Sequence, residues 1–160
     1  MIVIADTSPL NYLIQIKCDP LLPRLYGRIV VPSAVMRELS DPGAPAAVRL
    51  WLSQAPAWLE VRSVADLPDA ALADLDPGER EAIQLSQELQ ANLLLIDERV
   101  GRREAKRRGL RTTGTLAILL SAGERKLLDP EQAYRRRRLE TSFRASALEA
   151  QFLAEIHRQK

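Results

Sequence analysis

Two short apolar runs, far apart in the chain, each stop on an aspartate: Ile2-Val3-Ile4-Ala5 ends at Asp6, and Leu93-Leu94-Leu95-Ile96 ends at Asp97. Runs of this length, rich in branched aliphatics and free of polar alternation, fit strands buried on both faces, as in a parallel sheet. Residues 28–31 read as another such strand. Helix-starting signals follow at once. Ser8-Pro9, with serine as cap and proline in the first turn, opens a helix whose inward stripe is Leu10, Leu13 and Ile14. Pro32-Ser33 opens a second helix carrying Val35, Met36 and Leu39, which Asp41-Pro42-Gly43 ends. Strands alternating with helices define an α/β fold whose parallel sheet is covered on both faces. The working crevice of such a sheet lies beyond the carboxyl ends of its strands, where Asp6 and Asp97 are both expected.

The remaining pattern continues the alternation. Residues 45–54 read as a helix, 58–62 as an edge strand, and 67–76 as a polar, alanine-rich stretch without a clear assignment. Asp76-Pro77-Gly78-Glu79 launches a helix with Ala82, Ile83, Leu85 and Leu89 at helical spacing, ended by Asn92. Residues 99–108 form a basic helix closed by Gly109 at its C′ position, residues 110–112 a short last strand, and residues 116–120 part of an apolar helix. Asp129-Pro130 begins a C-terminal part expected to be two helices broken near Thr141-Ser142. The expected organisation is a main domain over 1–125, with a helical extension over 126–160 packed on or near it.

At 160 residues, with 46% hydrophobic and only 4% aromatic residues, the chain can bury one aliphatic core. A single cysteine, Cys18, permits no intrachain disulfide and fits a reducing compartment. No apolar stretch approaches the roughly 20 residues of a membrane span, and residues 1–5 follow no basic leader, so a cytoplasmic location is expected. The net charge of +2 hides an asymmetry. Arg99, Arg102, Arg103, Lys106, Arg107, Arg108 and Arg111 face few acids, Arg135 to Arg138 follow, and the acids concentrate between Asp66 and Glu88. A basic C-terminal half facing an acidic middle suits a polyanion or an acidic partner, although for charge runs alone solvated helix faces are the favoured reading.

Further acids can reach the crevice of Asp6 and Asp97. Glu38 sits about one and a half turns, roughly 7–8 Å, into the helix after the second strand. Glu79 lies in the first turn of its helix, where it complements the dipole. As bare anions, Asp6, Glu38, Glu79 and Asp97 would repel one another and raise each other's pKa. Mg²⁺ or Mn²⁺ removes that problem, taking oxygen ligands and retaining waters, and such an ion activates water for displacement at phosphorus. Thr7 and Ser8 add hydroxyls able to orient a water or a phosphate oxygen. Taken one by one, each acid also has an ordinary role as cap, first-turn acid or surface residue; the ordered set is what carries weight.

The stretches VIADTSPLNYLIQI, IVVPSAVMREL, LDPGEREAIQLSQEL, NLLLIDERVGRREAKRRGL and TTGTLAILLSAG resemble the successive blocks of a PIN domain, in order, over about residues 1–125. More narrowly, they resemble the VapC-like toxins of toxin–antitoxin pairs. The resemblance implies a three-layer α/β/α sandwich with a central parallel sheet and metal-dependent endoribonuclease activity. It implies Asp6, Glu38, Glu79 and Asp97 as catalytic acids, with Asp6, Asp97 and Glu79 on the metal and the adjoining hydroxyl on Thr7 or Ser8. It also implies a homodimer and a small antitoxin partner. Two positions depart from the family's pattern. Glu79 stands where an aspartate is usual, with Glu81 as a rival, and Leu95-Ile96-Asp97 lacks the usual threonine.

For an RNA substrate, Arg99, Arg102 and Arg103 supply sequence-independent backbone affinity, and Thr113 and Thr115 offer hydroxyls, with a capped strand-to-helix turn as the plainer reading of TTGT. Trp51 and Trp58 fit core or partner packing, and the block 135–138 fits RNA, an acidic partner or an exposed helix. His157, nearly terminal, disfavours histidine base chemistry. Two other classes compete: a catalytically silent module of the same fold, and a receiver-like signalling domain. The latter wants an acidic pair after the first strand and a late lysine, where Asp6-Thr7 and Leu110-Arg111-Thr112 stand instead.

Overall fold

A computed structural model describes residues 1–140 and 146–159. Five strands form one sheet in which every pairing is parallel: β1 (Val3–Ala5), β2 (Ile29–Pro32), β3 (Leu59–Arg62), β4 (Leu93–Leu95) and β5 (Thr112–Thr113), in the order β3-β2-β1-β4-β5. Successive strand residues point to opposite faces, and the aliphatic runs obey this. Val3, Ala5, Ile29, Val31 and Leu95 enter one core, whereas Ile4, Val30 and Leu94 enter the other. Continuous apolar strands are required because both faces are covered.

The first core is closed by α1 (Thr7–Gln15), α2 (Leu21–Tyr26), α3 (Ser33–Leu39), α4 (Ala46–Ser53), α7 (Thr115–Glu124), α8 (Pro130–Glu140) and α9 (Ser146–Gln159). The second is closed by α5 (Pro77–Glu88) and α6 (Arg99–Arg107), with Leu72 from a 3₁₀ turn. The result is the three-layer α/β/α sandwich. β1 is the centre of the sheet, and the chain runs outward from it first through β2 and β3, then through β4 and β5. The reversal of direction falls between β1 and β4, so the crevice at their carboxyl ends is the switch point where such sheets bind ligands.

The structure shifts several boundaries for identifiable reasons. Helix α1 begins at Thr7, and Ser8 is not its cap. The Asp6 amide still bonds the Leu95 carbonyl at 2.9 Å, so the chain stays extended through Asp6 and turns immediately after it. Helix α2 had no expected counterpart. Pro23 interrupts its apolar pattern, yet the residue lies in the first turn, where a missing amide costs nothing. Helix α5 ends before Asn92: Gln90 takes a left-handed φ of 50°, and Asn92 instead accepts the Ile2 amide at 2.7 Å, tying the start of β1. Strand β5 lies one to two residues later than expected, because the Leu110 amide closes α6 onto Ala105 and the ladder to Leu94 begins at the Arg111 carbonyl.

Beyond residue 125, the polypeptide contributes directly to the first core. Tyr134 and Phe152 stack with centroids 5.1 Å apart, and Phe152 and Ile156 are buried with the side chains of α1 and α7. The break expected near Thr141-Ser142 falls outside the described residues. Among the described residues, no helix is long and apolar enough to cross a membrane. Replacing Phe152, only 1% exposed, with alanine is expected to lower the unfolding free energy by about 3–5 kcal/mol. Urea denaturation should show this as one cooperative transition at lower midpoint, not as early loss of the C-terminal helices alone.

Candidate active site

Four segments bring carboxylates to the crevice. Asp6 follows β1, Glu38 rides on α3 after β2, Glu79 occupies the first turn of α5, and Asp97 follows β4. Asp6 is 2% exposed, makes no capping bond to α1, and its Oδ1 is buried without a hydrogen-bond partner. An unpaired buried carboxylate oxygen is expensive, and this one lies at the switch point of an α/β sheet, where such folds bind ligands.

The other acids are held in place. Glu38 accepts the Thr7 hydroxyl on Oε2 and the Gly78 amide at 2.8 Å on Oε1, joining the starts of α1 and α5 to α3. A Cβ on Gly78 would lie 2.5 Å from Glu38 Oε2, so only glycine permits this approach. Asp97 accepts the Thr115 amide on Oδ1 at 2.7 Å and the Thr115 hydroxyl on Oδ2 at 2.6 Å. A Cβ on Gly114 would meet Asp97 Oδ1 at 2.8 Å. The Glu79 carboxyl packs against Gly101 of α6, 3.6 Å from where a Cβ would stand.

The electrostatics tie these positions together. Burial pushes the Asp6 carboxyl up to about 8; the charges of Glu79, Glu38 and Asp97 add to this, and the Thr7 amide opposes it. Burial likewise raises Glu79 to about 7, assisted by Asp76, Glu98 and Glu38, while the Asp76 amide opposes it in a capping-box arrangement. Asp6 thus senses the other three expected acids as neighbours.

The flanking residues divide. Thr7 is engaged by Glu38, Ser8 is half-buried at the start of α1, and Thr113 is half-buried in β5. Thr115, expected to offer a hydroxyl to substrate, is fully buried with both its amide and its hydroxyl taken up by Asp97, so it positions that acid. Glu81, the rival of Glu79, turns away: its Oε2 accepts the Ala34 amide at 2.8 Å and its Oε1 faces Arg37. The basic helix splits as well. Arg107 and Arg108 are bound to Glu104, and Arg108 reaches Asp69 at 2.7 Å. Arg99 and Arg103 are exposed without an ion pair among the described residues, while Arg102 leans toward Gly114 beside Asp97. In the C-terminal block, Arg135 pairs with Glu131 and Arg136 donates to the Ile16 carbonyl; the side chains of Arg137 and Arg138 lie outside the described residues. Trp51 donates to Asp19 and packs on Trp58.

Sequence reasoning missed the three glycines that let the acids approach, and the outer acids Asp76 and Glu98. Gly78 was legible only as part of a helix start; nothing local says that it faces a carboxylate forty residues away.

Among the described residues, no three acids stand at the spacing of a ready-made metal cage. The donor set nevertheless fits a hard divalent cation. Mg²⁺ is commonly held through one or two carboxylates with several waters, and Asp6 offers an unpartnered oxygen with Asp97 and Glu79 as neighbours.

Fold and site together define a three-layer α/β domain that gathers carboxylates at the switch point of a parallel sheet. The family model described as DUF3368, PIN domain, matches residues 2–155, and the chain belongs to the PIN domain family. PIN domains are generally nucleases. Among solved structures, a PilT N-terminus domain protein from the hyperthermophilic archaeon Sulfolobus solfataricus P2 is similar, with a TM-score of 0.54 and 20% identity over 76% of this chain and 93% of that one. That likeness concerns the fold. No curated protein matches the chain.

Because Asp6 and Glu79 have folded-state pKa values above their ordinary 3.8 and 4.5, the unfolded chain loses these protons first as pH rises. Without metal, the stability held below about pH 4 is therefore lost as pH climbs toward about 7 to 8. Asp6→Asn should stabilise the metal-free protein at pH 8 by more than about 1 kcal/mol and flatten the profile. Urea titrations in chelator at pH 5 and pH 8 measure this; a wild-type stability that rises over this interval, or an Asp6→Asn curve parallel to it, would contradict the electrostatics.

Proposed function

We propose that the chain is a Mg²⁺- or Mn²⁺-dependent endoribonuclease that hydrolyses RNA phosphodiesters, acting as the VapC-like toxin of a toxin–antitoxin pair. The observation that carries this reading is the buried, unpartnered Asp6 Oδ1 with Glu79, Glu38 and Asp97 as charged neighbours. A bound divalent ion supplies neutralising charge, a Lewis acid and an activated water at neutral pH. Asp6, Asp97 and Glu79 are the residues that would hold it. Glu38 acts from one side, fixing the Thr7 hydroxyl and the start of α5 by its two hydrogen bonds. Thr115 keeps Asp97 aimed into the crevice through both carboxylate oxygens.

In this reading Arg102, beside Gly114, and the exposed Arg99 and Arg103 of the same helix hold the RNA backbone by charge, while Ser8 and Thr113 offer hydroxyls. The remaining parts of the proposal are a homodimer in the cytoplasm and a small antitoxin covering the acidic crevice. A silent RNA- or protein-binding module is the second reading, favoured by the lack of a three-acid cage among the described residues.

Asp6→Asn is expected to reduce Mn²⁺-dependent cleavage of single-stranded RNA by about a hundredfold or more, with an unchanged circular dichroism spectrum. Chelation should abolish wild-type cleavage, and Mg²⁺ or Mn²⁺ should restore it. A well-folded wild type inert on diverse RNAs with either ion sinks the nuclease in favour of the silent module.

A further inference from the structure

A cleft of about 490 Å³ opens off the acid site, running outward from Asp97 and Gly114 between α7 and α9. Its volume falls in the range of small-ligand pockets. Its lining is chemically mixed. Beside the acid site, Arg102 lies near Gly114, placing a cation next to Asp97. Leu116 and Ala117 of α7 and Phe152 of α9 supply apolar surface. Gln151 and the ion pair of Glu155 with Arg158, 2.5 Å apart, complete it on the α9 side.

We propose that this cleft receives the nucleobase of the RNA residue adjoining the cleaved phosphate, with Arg102 holding that phosphate and Gln151 reading the base edge. The assignment rests on the ribonuclease reading above. A nucleotide matches this set of surfaces: an anionic group for the cation, flat apolar faces for Leu116, Ala117 and Phe152, and a polar edge for Gln151. Extruded bases are commonly gripped between apolar side chains while their edges are hydrogen-bonded, so the scarcity of aromatic residues is no obstacle. The cations of the cleft set the direction. Arg158 is already neutralised by Glu155, so the cation available to a phosphate is Arg102, beside Asp97 and Gly114. The side-chain amide of Gln151 carries both donor and acceptor, which suits a base edge better than a second phosphate.

The test combines cleavage with binding. Randomised single-stranded RNA cut by the wild type in Mn²⁺ should show a base preference at one position beside the cut. Gln151→Ala should weaken that preference about tenfold, and Ala117→Trp, which fills the cleft, should raise KM about tenfold with a smaller fall in kcat. Base profile and KM unchanged in both variants would overturn the proposal. Separately, metal-free protein titrated with nucleoside 5′-monophosphates should show amide NMR shifts at Ala117 and Gln151 that Ala117→Trp removes. Shifts absent from α7 and α9 overturn the cleft even where RNA is cut. A wild type that cuts no RNA yet shows those shifts removes the nuclease reading and supports the nucleotide cleft.

Discussion

The fold buries the carboxylate of Asp6 and leaves its Oδ1 without a hydrogen-bond partner, and much of the architecture follows from keeping it there. Its amide is locked to the Leu95 carbonyl across the central strand pair, so the side chain cannot retreat with its backbone. Burial and three neighbouring acids then raise the cost of its charge. Ordinary proteins avoid such arrangements, because repulsion among desolvated anions subtracts directly from a small net stability. An opposite charge at the switch point of the sheet, as in the function proposed above, would offset that cost.

The surrounding acids solve a different problem, that of position. Glu38 and Asp97 each use both carboxylate oxygens on donors from another element, Thr7 and Gly78 for one and Thr115 for the other. Glycine at 78 and at 114 lets backbone come against these oxygens where any Cβ would intrude. The site is therefore a set of clamps around one uncommitted group. The basic helix shows the same division: Arg107 and Arg108 fasten α6 through Glu104 and Asp69, while Arg99 and Arg103 are exposed and Arg102 lies beside Gly114.

The strands and most helices were legible because their signals are local. Aliphatic runs such as Ile2-Val3-Ile4-Ala5 and breakers such as Gly109 act within a few residues. The acids were legible through topology: strands of a parallel sheet all end on one side, so residues just beyond β1 and β4 had to be neighbours. What escaped was decided by tertiary contact. Helix α2 forms despite Pro23, Asn92 serves β1 instead of ending α5, and Thr115 turns inward to Asp97. Glu79 and Glu81, two residues apart on one helix, look alike in the sequence and separate only once α3 packs beside α5 to receive Glu81.

The parallel pairing of β1 with β4 has a consequence for how the molecule matures. Ala5 and Leu95 are partners although more than half the chain lies between them, and Asp97 depends further on Thr115. Contacts so distant form late, since the intervening loop must be closed before they repay its entropy. A ribosome-bound chain that has already made Asp6, Glu38 and Glu79 still has no complete acid pocket until the segment around Thr115 has emerged.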